Sequence, residues 1–205
     1  MKKRVLSLLL AVVMLWSLLP TAVFAADGEL SGSGAEDDPY QIAGAADLMA
    51  FAEMVNGGKS GICAELTADI NLTGENWVPI GSTWGAPYKG TFDGKYFTVT
   101  LDITADDSYE YEYIGLFGYL EGSAIRNLKT DGSIRVTADC QSYPVVGGIA
   151  AYVGSDSRFT NCKNAASITI EEGASVLGYV GGILGQAGAP VKLSLIHISE
   201  PTRPY

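Results

Sequence analysis

Three segments of the chain carry the same short glycine pattern at nearly constant spacing. Ile114-Gly-Leu-Phe-Gly-Tyr119 is echoed by Gly147-Gly-Ile-Ala-Ala-Tyr152 and again by Gly181-Gly-Ile-Leu-Gly-Gln186, so that Gly115, Gly148 and Gly182 fall 33 and 34 residues apart. Between them, Ile125, Asn127, Leu128 and Lys129 align at +34 with Phe159, Asn161, Cys162 and Lys163, and Ser133-Ile134 aligns with Ser167-Ile168. Such a period marks a stack of coils, each unable to bury its apolar face alone and completed by its neighbours. The expected coil turns its corners at Gly115, Gly148 and Gly182 and at the asparagines, where left-handed backbone costs least. Its short strands send alternate side chains into a shared interior and pair with the next coil about 4.8 Å away. A sandwich built from hairpins is the alternative fold, but it has no need of the same residues at a fixed period. Nor do the glycines form a phosphate cradle, because they recur along the chain and are not gathered before a helix.

The remaining segments fit that frame. Phe97, Val99, Leu101 and Ile103 alternate with Thr98, Thr100 and Asp102, which predicts a strand with one buried face. Leu66 to Leu72 is a second, less regular strand candidate. Upstream the period changes: Leu48, Phe51, Ala52 and Val55 fall on one helical face, Asp47 lies in the first turn, and Gly57-Gly58 supplies the stop. A short amphipathic helix ahead of an all-β region is suited to covering the open end of the stack. The expected organisation is a linker over 26–36, a capping segment with the helix over 37–58, and a β-solenoid over 59–190. Asp38 to Ile42 is an extended entry.

The ends read differently. Lys2, Lys3 and Arg4 precede the apolar run Val5–Leu19, and Pro20, Val23 and Ala25 follow, the pattern of a secretory signal peptide over residues 1–25. The run is short for a membrane span, so a cleaved, secreted or surface-attached protein with no retained membrane segment is expected. Residues 193–203 resemble the translation of a transposase adapter used in sequencing libraries. Residues 191–205 are therefore read as an artefactual tail, with the natural protein continuing past about Pro190. His197 lies in that tail, which leaves the interpretable segment without histidine.

Val146-Gly-Gly-Ile, Val180-Gly-Gly-Ile-Leu-Gly and Ile114-Gly-Leu-Phe-Gly resemble successive copies of the GLUG motif. That repeat occurs in surface proteins of Gram-positive and other gut bacteria and in N-terminal regions of some IgA-cleaving metallopeptidases. Asp38-Pro-Tyr-Gln-Ile42, Leu66-Thr-Ala-Asp-Ile-Asn-Leu72, Trp77-Val-Pro-Ile-Gly81 and Gly90-Thr-Phe-Asp-Gly94 agree with the same protein type. The resemblance implies a right-handed parallel β-helix-like solenoid, all-β apart from the short capping helix, with adhesive or wall-anchoring modules further on. It carries no catalytic residues. Ala151 departs from the pattern where the other copies have Gly118 and Gly185.

Charge narrows the partners. Without the two ends, Ala26–Lys192 keeps 9 basic and 22 acidic residues, a formal charge of −13. That excludes nucleic acid and anionic lipid, both of which need a positive face. With no histidine there is no Ser-His or Cys-His nucleophile and no His-Glu-x-x-His zinc site. Of the three cysteines, Cys162 aligns with Leu128 as a buried hydrophobe, and Cys63 with Cys140 is a pairing the spacing leaves open. The candidate functional loop is Asp106 to Tyr113. Asp106, Asp107, Glu110 and Glu112 offer oxygen ligands for Ca²⁺, the one cofactor the sequence suggests. Tyr109 and Tyr111 offer a rigid contact surface, and Trp77 and Trp84 form a further candidate lining for a ligand. The expected function is a non-catalytic, adhesin-like binding or structural module. Its partner would be a host or cell-wall glycan or an extracellular protein. The alternative is the substrate-binding arm of a larger secreted enzyme, a metallopeptidase or a carbohydrate-active β-helix enzyme.

Overall fold

The computed structural model describes residues 30–174 and 178–194. The expected signal peptide and residues 195–205 of the tail lie outside these. Four strand ladders wrap one interior. The first face stacks β1 (Tyr40–Ile42), β2 (Ala64–Leu66), β4 (Thr91–Asp93), β8 (Ala124–Arg126), β12 (Arg158–Thr160) and β17 (Lys192–Ser194). The second stacks β3 (Ile70–Asn71), β5 (Thr98–Ala105) and β9 (Lys129–Val136), with β13 (Lys163–Asn164) and β14 (Ser167–Ile170) both paired to β9. The third is β6 (Tyr113–Ile114), β10 (Val145–Gly147) and β15 (Val180–Gly181), and the fourth is β7 (Phe117–Leu120), β11 (Ala150–Val153) and β16 (Leu184–Ala187).

Among the described residues every strand pair is parallel, the isolated Ser31–Gln41 bridge alone being antiparallel, and in the repeat region register follows the sequence period. Phe92 pairs with Ile125 and Ile125 with Phe159, while Ile134 pairs with Ile168 and Ala150 with Leu184. The chain is therefore a parallel β-solenoid with about one coil per 33–34 residues in its repeat region, as the repeats predict, and shorter coils before it, where Tyr40 pairs with Ala64 and Ala64 with Phe92. Alternation does the sorting. In β5, Val99, Leu101, Ile103 and Ala105 are buried, and the residues between them are half-buried or exposed. Each fully buried Phe, Leu or Ile of these columns contributes on the order of 1.5–3 kcal/mol.

The helix α1 (Ala45–Asn56) buries Leu48, Phe51, Ala52 and Val55, the face its periodicity predicts. Asp47 Oδ2 accepts the Ala43 amide at 2.8 Å, and the Gly57 amide donates to the Glu53 carbonyl at the other end. Phe51 packs against Tyr88 and Phe92 with ring centroids 5.8 and 6.0 Å away, and Phe92 in turn meets Phe117 at 5.3 Å. The helix thus joins the interior column of the first coils.

Several details depart from the sequence expectation. Leu66–Leu72 is not one strand. Ala64–Leu66 belongs to the first face and Ile70–Asn71 to the second, with a corner between them, which explains the irregular apolar spacing. The front of the solenoid also reaches into the segment read as linker. Ser33 and Gly34 donate to the Asp38 carbonyl, and Cys63 donates to Gly34. At the other end, Lys192–Ser194 pairs with β12, Leu193 taking the register position of Ile125 and Phe159. Left-handed backbone at the corners falls on Asn127 and Asn161 (φ 51° and 54°), and Gly115, Gly148 and Gly182 do not adopt it. Those three glycines lie between the third and fourth faces, where a side chain on Gly115 would sit 2.5 Å from the Gly147 carbonyl oxygen. Close approach of neighbouring coils, not φ, is what requires glycine at 115.

Candidate functional site

The second and third faces are joined by excursions from the coil, and these build a cleft against α1. Its volume is about 710 Å³, within the range of ligand sites. Met49, Ala50 and Val78 supply apolar walls, Trp77 lies in the floor, and Tyr111 reaches in from the acidic excursion; Glu53 and Glu75 stand at the rim. Trp77 is 4% exposed and donates its indole N–H to the Gly115 carbonyl at 3.1 Å, so the floor is fastened to a corner of the next coil. Asn56, at the end of α1, accepts the Gly81 and Ser82 amides, each at 2.9 Å, and donates to the Pro79 carbonyl. One asparagine thus holds the 77–82 segment in place beside the helix. Among the described residues, neither Glu53 nor Glu75 is in a salt bridge.

Trp77 and Tyr111, proposed separately from the sequence, share this cleft. Tyr109 does not line it. Its ring packs edge-on to Tyr111 at 5.4 Å, its hydroxyl donates to the Tyr113 carbonyl, and burial pushes its phenol well above the usual range.

The four carboxylates proposed for Ca²⁺ are not brought together. Among the described residues no three acidic, cysteine or histidine side chains gather as a metal site would need. Asp106 is occupied locally, its Oδ1 accepting from the hydroxyl and amide of Ser108, which hold that carboxyl below its usual value. Asp107, Glu110 and Glu112 are exposed. The turn closed by the Tyr109 amide on the Asp106 carbonyl at 3.1 Å points Asp106 back at Ser108, so closeness in sequence does not become convergence.

Trp84 stands apart from the cleft. It is 63% exposed and stacked on Tyr119, with centroids 4.9 Å apart and planes at 9°. Tyr152 meets its edge at 5.7 Å, and Tyr113 lies about 6 Å from both tyrosines. Sequence reading picked out Trp84, and Tyr113 as the end of the acidic loop, but missed Tyr119 and Tyr152. The +33 spacing of Tyr119 and Tyr152 was the available signal, and they pair directly across β7 and β11.

The three cysteines are free and buried. Desolvation pushes the Cys162 thiol up to about 11, the reverse of what a nucleophile needs.

No family model matches the chain, and no curated protein matches it. Among solved structures, it is similar to a Bacteroides ovatus protein described as a candidate immunoglobulin A1 protease. The two are 16% identical with a TM-score of 0.41, over 85% of this chain and 81% of that one.

Proposed function

We propose that this chain is an exported, non-catalytic repeat module of the GLUG type that binds an extracellular protein through the cleft beside α1. The observation that carries the reading is the meeting of Trp77 and Tyr111 in one cleft of about 710 Å³ under the free carboxylates Glu53 and Glu75. An apolar floor with an acidic rim suits an amphipathic, basic segment, and the chain's negative charge would speed its approach. Asn56 and the Trp77 indole hold the 77–82 wall in place, so less ordering opposes binding there. The larger-enzyme alternative makes the same binding prediction and differs only in what an uninterrupted reading frame encodes, which sequencing of the locus decides.

The test is titration with a fluorescein-labelled alternating Lys-Leu decapeptide at two salt concentrations. Tyr111→Ala is expected to weaken binding about tenfold, equivalent to about 1.4 kcal/mol. The double change Glu53→Gln, Glu75→Gln should remove most of the salt dependence. Equal affinity in all three proteins would rule the cleft out as the binding surface.

A further inference from the structure

Trp84 occupies a position where local chemistry does not call for it. The Ala86 amide donates to the Thr83 carbonyl at 3.1 Å, closing a turn whose central residues are Trp84 and Gly85. Such positions favour small or polar residues that suit the turn geometry. A large apolar side chain at an exposed turn tip breaks that preference, and natural chains tolerate such breaks chiefly at functional sites. The turn is also held in place. Asn56 grips Gly81 and Ser82 on one side, and the Tyr88 amide donates to the Tyr119 carbonyl at 2.9 Å on the other.

One face of the indole lies on Tyr119, and Tyr152 meets its edge, so the ring is fixed without use of its outer face. Tyr119, Tyr152 and Gln186 occupy the same register position on successive coils of the fourth face. Tyr119 is covered, so the surface along the stack presents the indole, then the Tyr152 phenol 5.7 Å from it, then the Gln186 amide one strand spacing (about 4.8 Å) further on. The tyrosine rings lie along the surface because the next coil has glycine beneath them. A Cβ on Gly188 would collide with the Tyr152 hydroxyl, and one on Gly154 would sit 3.0 Å from that of Tyr119.

We infer that Trp84, Tyr152 and Gln186 form a binding track for a neutral glycan, separate from the cleft. Charge selects the ligand class. A formal charge of −13 over Ala26–Lys192 disfavours polyanions. A cation over the indole is the competing occupant, but Glu121, the carboxylate acting on Tyr119, is already paired with Lys89 at 2.8 Å. A pyranose ring needs no counter-charge. Its C–H face lies flat on a fixed aromatic plane, and its hydroxyls find the Gln186 amide and the Tyr152 phenol.

The experiment is fluorescence titration of the secreted chain, in which the described tryptophans are buried Trp77 and exposed Trp84. The probes are neutral hexasaccharides (β-1,4-glucose, β-1,3-glucose, α-1,4-glucose and β-1,4-mannose), a hyaluronan hexasaccharide and tetra-arginine. At least one neutral hexasaccharide should shift the emission and bind. Trp84→Ala should weaken that binding about tenfold, Gln186→Ala about threefold, and Trp84→Phe less than Trp84→Ala. Tyr111→Ala should leave it unchanged, which keeps failure of the track distinct from failure of the cleft. Trp84 is exposed, so circular dichroism of Trp84→Ala should match the parent. The inference is overturned if no neutral hexasaccharide binds, if Trp84→Ala binds as well as the parent, or if tetra-arginine is preferred.

Discussion

Asp93, Asn127 and Asn161 are joined by their side chains where the first face turns into the second, Asp93 standing opposite Arg126, one position before Asn127. Asn161 Nδ2 donates to Asn127 Oδ1 at 3.1 Å, and Asn127 Nδ2 donates to Asp93 Oδ1 at 3.0 Å. Asp93 also accepts the Lys95 amide and the Arg126 Nε, both at 2.9 Å. Burial pushes its carboxyl up, but these donors outweigh burial and hold it below the usual value. A carboxyl depressed on folding contributes stability above its unfolded pKa of about 3.9 and loses it as pH falls through the lower folded value. Asp93→Asn keeps a side chain able to continue the ladder and is expected to cost about 1 kcal/mol at pH 7 while flattening the loss of stability in acid. Asp93→Ala leaves the partners' donors unmet and should cost about 1–3 kcal/mol. Urea unfolding at pH 7 and pH 3 separates the two, and an unchanged acid slope in Asp93→Asn would remove Asp93 from the account. The two asparagines were legible because they recur at +34. Asp93 was not, because Gly94-Lys95-Tyr96 follow it with a turn of their own, and the Asp-Gly pair reads as punctuation.

The corners between the third and fourth faces make a sharper test of what the glycine repeat is for. Gly115, Gly148 and Gly182 look equivalent in sequence, yet their surroundings differ. A Cβ on Gly148 would collide with the Gly182 carbonyl oxygen and the Asn164 side chain, whereas on Gly182 the nearest such atom is 3.9 Å away. Gly148→Ala should therefore destabilise by about 1–3 kcal/mol through overpacking, and Gly182→Ala should be nearly neutral by thermal melting. Equal effects would mean that backbone conformation, not the spacing of coils, selects glycine. Elements whose face is set by neighbours in sequence were legible: the helix from Leu48 to Val55, and the strand around Leu101. The Leu66–Leu72 corner was not, because a change of face leaves no period to read. The functional surfaces were the least legible part. The cleft joins residues as distant as Met49 and Tyr111, and the indole of Trp84, outside the repeat, meets Tyr119 and Tyr152 only once the coils stack.

Seen whole, the solenoid is a one-dimensional object in which each coil is held by its neighbours. Matched columns show that burial is not even along it. Ile134, Val136, Ile149 and Ala150 are fully buried, while their counterparts one coil on, Ile168, Ile170, Ile183 and Leu184, are only half-buried. Phe51 seals the interior at the helix end against Tyr88 and Phe92. Opening of the coil that holds β14 and β16 should therefore cost less than global unfolding. Native-state hydrogen exchange is expected to show amides of β9 and β11 exchanging only on global unfolding, with those of β14 and β16 opening on the order of 1–3 kcal/mol more easily. Phe51→Ala should lower global stability by about 3–5 kcal/mol. In a one-dimensional stack that loss reaches the β9 and β11 amides but leaves the independent opening of β14 and β16 unchanged, until the global value falls below it. A uniform loss of protection across all four strands, with no gap in the parent protein, would mean instead that the coils unfold as a single cooperative unit.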